Sequence, residues 1–387
     1  MISRQTMLEG LTMIGNRRSN NIMKNSRILI LLAAGTLLLA GCQKNGLFSG
    51  IRAVEFTATA NYAAGTKTEY SGLNASGTAV QSGQVERIDW TPGDKIRIWS
   101  DKAEDRYHTG RYYADYKIWG EIITNGIRSE VSRIVNADID DPDNDPGVPD
   151  PQASENDNVN GLVWEADGPY SFWAIYPNTG TISGNTNSVT YSIPGSQAAN
   201  AEGKPNMDYA FMLAAKTGVA KGAAVDLDFY PAFTAFEISI SADTRNAADI
   251  QLTSVEVQSD ATTPLAGDVT ANVAAAGAST YEVASGANTI SYTFPDNTII
   301  ATGTDAEPVT FTIFAVPQTI KGMTLVFALG DGTTKTAKLT QGADKQLISF
   351  DACKKHRLYG IAMPEGDWPL YLVADTQQYD QFDTFTW

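Results

Sequence analysis

Short runs of alternating apolar and polar residues recur along most of this chain, and this pattern limits its fold more than any other feature. A period of two is typical of β-strands with one buried face. Gly, Pro, Asn or Asp closes each run. After the first 41 residues, the stretch nearest to a helical period is Asn200–Ala215, which predicts at most a short helix. The sequence therefore predicts an all-β fold built from antiparallel β-sandwiches.

Turn residues separate the predicted strands. The clearest strand patterns are Val54–Thr59, Lys95–Ile98, Val225–Phe229, Phe236–Ile240 and Val309–Ala315. Pro231 predicts a break after the third of them, because proline cannot donate a hydrogen bond to a strand ladder. Gly330-Asp331-Gly332 predicts a hairpin turn into the strand Thr333–Leu339.

The length of 387 residues suits two domains. We place their boundary in the small, Gly-rich stretch Thr217–Ala224. The predicted segments are a leader 1–41, a tether 42–52, an N-terminal sandwich 53–218, a C-terminal sandwich 219–363 and a tail 364–387. Residues 138–158 are dense in Asp, Asn and Pro and predict a long exposed loop. Val269–Gly277 predicts a loop of small residues.

The leader has the composition of an export signal. Basic residues precede the apolar run Ile28–Ala40, which is too short for a comfortable membrane span. Because a signal normally begins with its basic residues, Met23 is interpreted as the true start. Leu39-Ala40-Gly41-Cys42 resembles the lipobox of bacterial lipoproteins, in which the cysteine is acylated. The alternative is an ordinary signal peptide or membrane anchor with an incidental cysteine. Gln43, rather than Asp, follows Cys42 and favours the outer membrane.

The charge balance argues against a nucleic-acid partner. The chain has 28 Lys+Arg against 44 Asp+Glu, a net charge of −16, whereas phosphate binding needs a basic face. Two Cys and two His leave little material for histidine catalysis or zinc sites. His108 and His356 each stand alone, and Cys353 is interpreted as a buried cysteine at a strand end. We therefore expect no enzymatic activity and no cofactor.

One acidic motif is a weak calcium candidate. Asp141, Asp143 and Asp145 alternate as in the first half of an EF-hand loop. Position six of that loop is Pro146 rather than glycine, and position twelve is Gln152, which has no carboxylate. A solvated acidic loop is the favoured interpretation.

Aromatic residues leave a second function open. The chain has 7 Trp and 16 Tyr, and exposed rings can stack on sugars. The alternative to a structural role is therefore a glycan-binding surface lipoprotein. It requires exposed tryptophans, whereas five of them fall in or beside predicted strands: Trp90, Trp99, Trp119, Trp164 and Trp173.

Several segments together resemble the fimbrillin family, the lipoprotein-derived subunits of type V pili. They are the lipobox, Val54–Thr59 with the following Gly65-Thr66-Lys67-Thr68, and the stretches Ile88–Ile96, Phe229–Phe236 and Ala315–Gln318. The resemblance covers most of the mature chain and rests on the order of these segments. It implies two tandem transthyretin-like β-sandwich domains. It also implies a structural or adhesive role on the cell surface, with other fimbrial subunits, possibly including copies of this chain, as partners.

The resemblance further implies an assembly mechanism. In such pilins a protease directed at Arg or Lys removes an early strand, and the C-terminal segment of another subunit fills the open groove. Arg52 precedes the strand Val54–Thr59 and Lys67 follows it, so only a cut at Lys67 would open a groove. The expected donor strand in the tail contains Leu370, Tyr371, Leu372 and Val373. The alternative is that the tail packs on its own domain.

Overall fold

A computed structural model describes residues 54, 56–60, 69–74, 86–90, 94–105, 110–124, 127–136, 161–165, 167–201, 203–259, 262–303, 305–339 and 348–372. Within these residues the chain is almost entirely β-strand, with two short 3₁₀ turns, Met207–Tyr209 and Ala275–Gly277. The predicted all-β class is confirmed. Over the same residues, no helix has the length and apolar character needed to cross a membrane.

Fourteen strands precede Pro231 or end there. They are β1 (Phe56–Ala60), β2 (Glu69–Asn74), β3 (Glu86–Asp89), β4 (Lys95–Ser100), β5 (Glu104–Asp105), β6 (Tyr113–Thr124), β7 (Ile127–Asn136), β8 (Leu162–Val163), β9 (Tyr170–Tyr176), β10 (Thr181–Ile182), β11 (Ser188–Ile193), β12 (Ser196–Ala198), β13 (Met212–Val219) and β14 (Val225–Pro231).

Thirteen strands follow. They are β15 (Thr234–Ala242), β16 (Ile250–Gln258), β17 (Ala266–Asn272), β18 (Thr280–Ala287), β19 (Thr289–Thr293), β20 (Ile299–Ile300), β21 (Val309–Ala315), β22 (Ile320–Lys321), β23 (Thr324–Leu329), β24 (Thr334–Leu339), β25 (Ser349–Phe350), β26 (Lys355–Ala362) and β27 (Trp368–Leu372).

Seven of these strands close into a barrel, in the order β1–β14–β13–β9–β4–β6–β7. Its interior is apolar because alternate residues of each strand face inward. On β14, Val225, Leu227 and Phe229 are buried, and Asp226 and Asp228 between them are exposed. One sequence pattern thus supplies both a core row and an acidic outer row.

The C-terminal half forms a large sheet in the order β12–β19–β16–β23–β24–β27–β26–β15–β21, with β20 attached to β16. The sheet surrounds the second core, which includes Phe236, Ile238, Leu325 and Phe327. The predicted hairpin at Gly330-Asp331-Gly332 joins β23 to β24, which pair antiparallel. The predicted strands on either side of Pro231 are β14 and β15, and they belong to the barrel and the large sheet, respectively.

A third sheet, β10–β11–β17–β18, contains strands from both halves of the chain. Six residues of β11 pair with β17, and the hydroxyls of Thr190 and Thr270 lie 3.1 Å apart in that pairing. A third apolar cluster packs beside this sheet and includes Trp99, Tyr191 and Phe314. The predicted boundary at 217–224 covers the end of β13 and the turn before β14, both in the barrel, and the two-domain division stays a prediction.

Three details differ from the sequence analysis. Of the stretch 200–215, only Met207–Tyr209 is helical, and β13 begins at Met212. Val269–Asn272 belongs to β17 rather than to a loop, because Val269 and Ala271 alternate into the core. Four strand pairs are parallel rather than antiparallel: β1–β14, β12–β19, β15–β26 and β24–β27.

Candidate functional site

The first strand of the barrel, β1, has a short alternating sequence. Phe56 and Ala58 are buried in the barrel, and Thr57 between them is half-exposed. Val54, just before the strand, is also buried, and its N–H donates to the Leu162 carbonyl at 3.0 Å. The apolar face of this segment therefore completes the barrel core.

Strands of distant sequence pair with β1 on both sides. It runs parallel to β14, with Phe56 opposite Val225 and Ala58 opposite Leu227. It runs antiparallel to β7, where Ala58 is opposite Ser132. Because both edges of β1 are paired, its removal would leave unpaired backbone on two strands and open the barrel.

Aromatic side chains surround Phe56. Its ring centroid lies 5.2 Å from that of Tyr116 and 5.4 Å from that of Phe172, both in edge-to-face geometry. The Tyr116 hydroxyl accepts a hydrogen bond from the Leu162 N–H at 2.9 Å. Burying Val54 and Phe56 contributes roughly 3–6 kcal/mol. The burial of these two side chains is therefore a main contribution to the binding of β1 in the barrel.

The outer face of the same strand pair is polar. Thr57 Oγ1 donates a hydrogen bond to Asp226 Oδ1 across the β1–β14 pair. Asp228, the next outward residue of β14, is paired by register with Thr59. The rim along β14 is therefore acidic, and β1 places threonine in the positions next to it.

The last described strand, β27, lies inside the large sheet of its own chain. It pairs parallel with β24 and antiparallel with β26. Trp368 and Leu370 are 1% and 2% exposed, and the Trp368 ring centroid lies 5.0 Å from that of Phe327. The predicted C-terminal sandwich, 219–363, leaves out these two residues, although both side chains belong to its core.

The predicted donor residues thus have unlike positions. Leu370 faces the core, Tyr371 is 39% exposed, and Leu372 is half-buried at the end of β27. Val373 lies outside the described residues. This arrangement is the alternative stated for the tail, packing on its own domain. The donor role stays a prediction.

The tryptophans do not form an exposed group in the described residues. Trp90, Trp99, Trp164, Trp173 and Trp368 are all at most 8% exposed. Trp90, for example, packs edge-to-face on Tyr176 and Phe229 at 5.2 Å. The exposed tryptophans that the glycan-binding alternative requires are therefore absent at these five positions.

His356 and Cys353 have structural surroundings. The His356 ring stacks on Phe236 at 5.6 Å, and its Nε2 lies 3.1 Å from the Asp351 carbonyl oxygen. Cys353 is a free thiol just before β26, and burial raises its pKa to about 11. Because the thiolate is the reactive form, Cys353 is a poor nucleophile at neutral pH.

Other predicted site residues lie outside the described residues: Cys42, Arg52, Lys67, His108, Asp141, Asp143 and Asp145. Among the residues that the structure does describe, no three His, Cys, Asp or Glu side chains group as a metal site would need. Tyr116, Phe172 and Asp226 contact β1 but were not predicted as site residues from the sequence. The alternation of β14 was visible in the sequence, but its pairing with β1 was not.

No curated protein matches the chain, whereas several solved structures are similar to it. A solved putative cell adhesion protein from Bacteroides uniformis is 16% identical, with a TM-score of 0.46, over 84% of this chain and 98% of that one. Another from Bacteroides ovatus is 15% identical, with a TM-score of 0.43, over 84% and 96%. The tip fimbrial protein Mfa3 from Porphyromonas gingivalis, solved with a C-terminal truncation, is 7% identical, with a TM-score of 0.36, over 83% and 99%.

The sequence profile of one family matches more than half of the chain. It covers residues 151–362, which run from just before β8 to the end of β26, and its description is fimbrillin-like. The matched range includes β14, which holds β1, and most of the large sheet. The chain therefore belongs to the fimbrillin-like family.

Proposed function

We propose that this chain is a structural or adhesive subunit of cell-surface fimbriae and has no enzymatic role. The observation that carries the proposal is the position of β1, the first described strand, between β14 and β7. A single cut on its C-terminal side would separate this strand from the rest of the barrel. Membership of the fimbrillin-like family supports the same function.

Export and anchoring come first in this proposal. The lipobox places an acyl chain on Cys42, and the acidic protein surface repels anionic headgroups, so the lipid holds the protein to the outer membrane. Cys42→Ala should release the protein from the membrane fraction or stall the precursor. A processed Cys42→Ala protein that still fractionates with membranes would contradict the anchor.

Proteolysis then prepares the acceptor. A cut at Lys67 leaves β1 on the small N-terminal fragment, whereas a cut at Arg52 leaves β1 joined to the barrel. After the cut, the burial of Val54 and Phe56 still stabilises β1 in its position in the barrel. Cutting alone therefore does not empty the groove. Release requires exchange with an incoming strand that gains similar burial and the same two backbone ladders.

Assembly in this proposal proceeds subunit by subunit. The tail of a neighbouring subunit enters the groove, and each contact is heterologous, which builds an open filament. In the described structure β27 belongs to its own core, so the donor must begin at or beyond the end of β27 unless the strand leaves that core. The partners are other fimbrial subunits, including copies of this chain.

The experiment is a mass measurement of the N-terminus on subunits purified from surface polymers. The proposal expects an N-terminus at Thr68 and loss of the acylated fragment. Assembled subunits that retain residues 54–59 would contradict it. Lys67→Ala should block assembly, and Arg52→Ala, which removes the other basic site beside β1, is the matched control that should not.

A further inference from the structure

The seat of β1 has two unlike inward positions. Phe56 enters an aromatic space beside Tyr116 and Phe172, opposite the smaller Val225. Two residues later, Ala58 is 0% exposed and lies opposite the larger Leu227, itself 0% exposed. An emptied groove would therefore accept a large apolar side chain first and only a small one at the second position.

The pairing also sets the direction of an incoming strand. Because β1 runs parallel to β14, the large residue comes before the small one along the chain. A strand entering in the opposite direction with the same sequence would place its large residue against Leu227. Overpacking of that kind weakens binding, since the enclosed position opposite Leu227 cannot expand without moving the core.

The outer rim adds an electrostatic condition. Asp226 and Asp228 are exposed on β14, and the residues opposite them on β1 are Thr57 and Thr59. Thr57 donates a hydrogen bond to Asp226. A carboxylate in either outward position would face a like charge on the neighbouring strand, and such pairs are destabilising.

We propose that the groove left by β1 selects a strand with a large apolar residue, then alanine two residues later, running parallel to β14. The tail of a second copy of this chain supplies this strand, with Leu372 in the position of Phe56 and Ala374 in that of Ala58. This inference rests on the proposed function, because it requires the groove to open.

Few alignments of the tail with β1, here called frames, place a large apolar residue two positions before a small one. Within 370–387, a large apolar residue followed two positions later by a small one occurs at Leu372 with Ala374 and at Phe382 with Thr384. The second frame places Asp383 beside Asp226 and puts Asp380 in the buried position of Val54. The first frame places an uncharged residue, Val373, beside Asp226.

The position of Leu372 also favours the first frame. Leu372 ends β27 and is half-buried, whereas Trp368 and Leu370 are enclosed in the core. A donor that begins at Leu372 can leave those two side chains in place. The frame has two unfavourable features, because it brings Asp375 beside Asp228 and leaves the buried position of Val54 unfilled while Leu370 stays in its own core.

Peptide binding to the opened subunit tests the inference. The full-length chain would carry a site for a sequence-specific protease within residues 63–67 and would be cut there. Two labelled peptides, one of residues 54–60 and one of residues 370–378, would then be exchanged into the groove in mild urea. The 54–60 peptide reports whether the groove exists, independently of the tail.

The inference expects the 370–378 peptide to bind and its reversed sequence not to bind. Ala374→Leu in the peptide should weaken binding at least about fivefold, the effect of overpacking by three carbons. Asp375→Lys should tighten it by about two- to fivefold at low salt and less at high salt. This gain should shrink in protein carrying Asp228→Asn. The double substitution Gln377→Lys and Gln378→Lys in the peptide, outside the paired residues, is the control with the same two-unit change in charge.

Two results would overturn the inference and leave the proposed groove intact. One is binding of the 54–60 peptide without binding of the 370–378 peptide. The other is equal binding of the Ala374→Leu and unchanged tail peptides. If neither peptide binds the cut protein, the groove itself fails, and the proposed function falls together with this inference.

Discussion

The side-chain amide of Gln197 makes two hydrogen bonds to the backbone of Phe314, 117 residues farther along the chain. Its Nε2 donates to the Phe314 carbonyl at 2.7 Å, and the Phe314 N–H donates to its Oε1 at 3.0 Å. Gln197 lies on β12 and Phe314 on β21, the two ends of the large sheet. The amide thus pairs with an edge strand as a backbone would and satisfies the N–H and C=O of Phe314 that face away from the sheet.

Replacement of Gln197 tests this bridge. Gln197→Met has a similar volume but leaves a buried N–H and C=O of Phe314 unpaired, which should lower the free energy of unfolding by about 1–3 kcal/mol. Gln197→Glu should cost at least as much, because a carboxylate cannot donate to the Phe314 carbonyl and is itself buried. Urea denaturation gives both values. A Met variant within about 0.5 kcal/mol of wild type, the range of neutral substitutions, would show that the amide only fills space.

The shared sheet predicts cooperative unfolding. β11 and β17 come from opposite sides of the predicted domain boundary, yet six residue pairs join them. Neither half can lose this sheet without exposing apolar residues of the cluster around Trp99 and Phe314. Calorimetry should therefore show one transition for the described halves, with equal van't Hoff and calorimetric enthalpies. Two separate transitions would contradict the coupling.

Buried tyrosines predict loss of stability at alkaline pH. Burial raises the pKa of Tyr176 and Tyr191 well above the ordinary value. A group with a raised folded-state pKa contributes stability that is complete below its unfolded pKa, about 10, and is lost as the pH rises above it. The free energy of unfolding should therefore fall between pH 10 and pH 12.

Tyr191→Phe isolates one of these groups. The Tyr191 hydroxyl donates to the Ala232 carbonyl at 2.7 Å, so the variant should be less stable by about 1 kcal/mol at pH 8. Its decline above pH 10 should be shallower, by up to about 1.4 kcal/mol per pH unit. A Tyr191→Phe slope equal to that of wild type would contradict the assignment.

Alternation in the sequence predicted which residues face a core but not which strands become neighbours. Val225, Leu227 and Phe229 were identified as one face of a strand, and the structure buries all three. Their pairing with β1, about 170 residues earlier in the chain, leaves no local signal. The register is a property of packing, in which Phe56 fits beside Val225 and Ala58 beside Leu227.

Other structural features had no signal in the sequence pattern. Ala271 looked like part of a loop because alanine carries little apolar signal, although it is fully buried on β17. Gln197 is polar and gave no sign of its buried bridge. The C-terminal sandwich was predicted to end at residue 363, whereas the chain only turns at 364–367 before Trp368 enters the core.

The last prediction concerns the tail, through two truncations that differ by five residues. Loss of 373–387 removes nothing from the described core, so the protein should melt as wild type does. Loss of 368–387 also removes Trp368 and Leu370, and cavities of that size cost roughly 5–10 kcal/mol together. That is comparable with the whole stability of a typical domain, about 5–15 kcal/mol. The longer truncation should therefore unfold or be degraded.

Thermal melting by circular dichroism distinguishes the two chains. The single substitution Trp368→Ala is a graded control, since it removes the contact with Phe327 and the hydrogen bond from the indole Nε1 to the Met363 carbonyl but keeps the β27 backbone. It should fall between wild type and the longer truncation. If the chain ending at 367 melts like wild type, β27 is not part of its own core. The strand could then be donated without loss of the fold, and the donor would start at Trp368 rather than at Leu372.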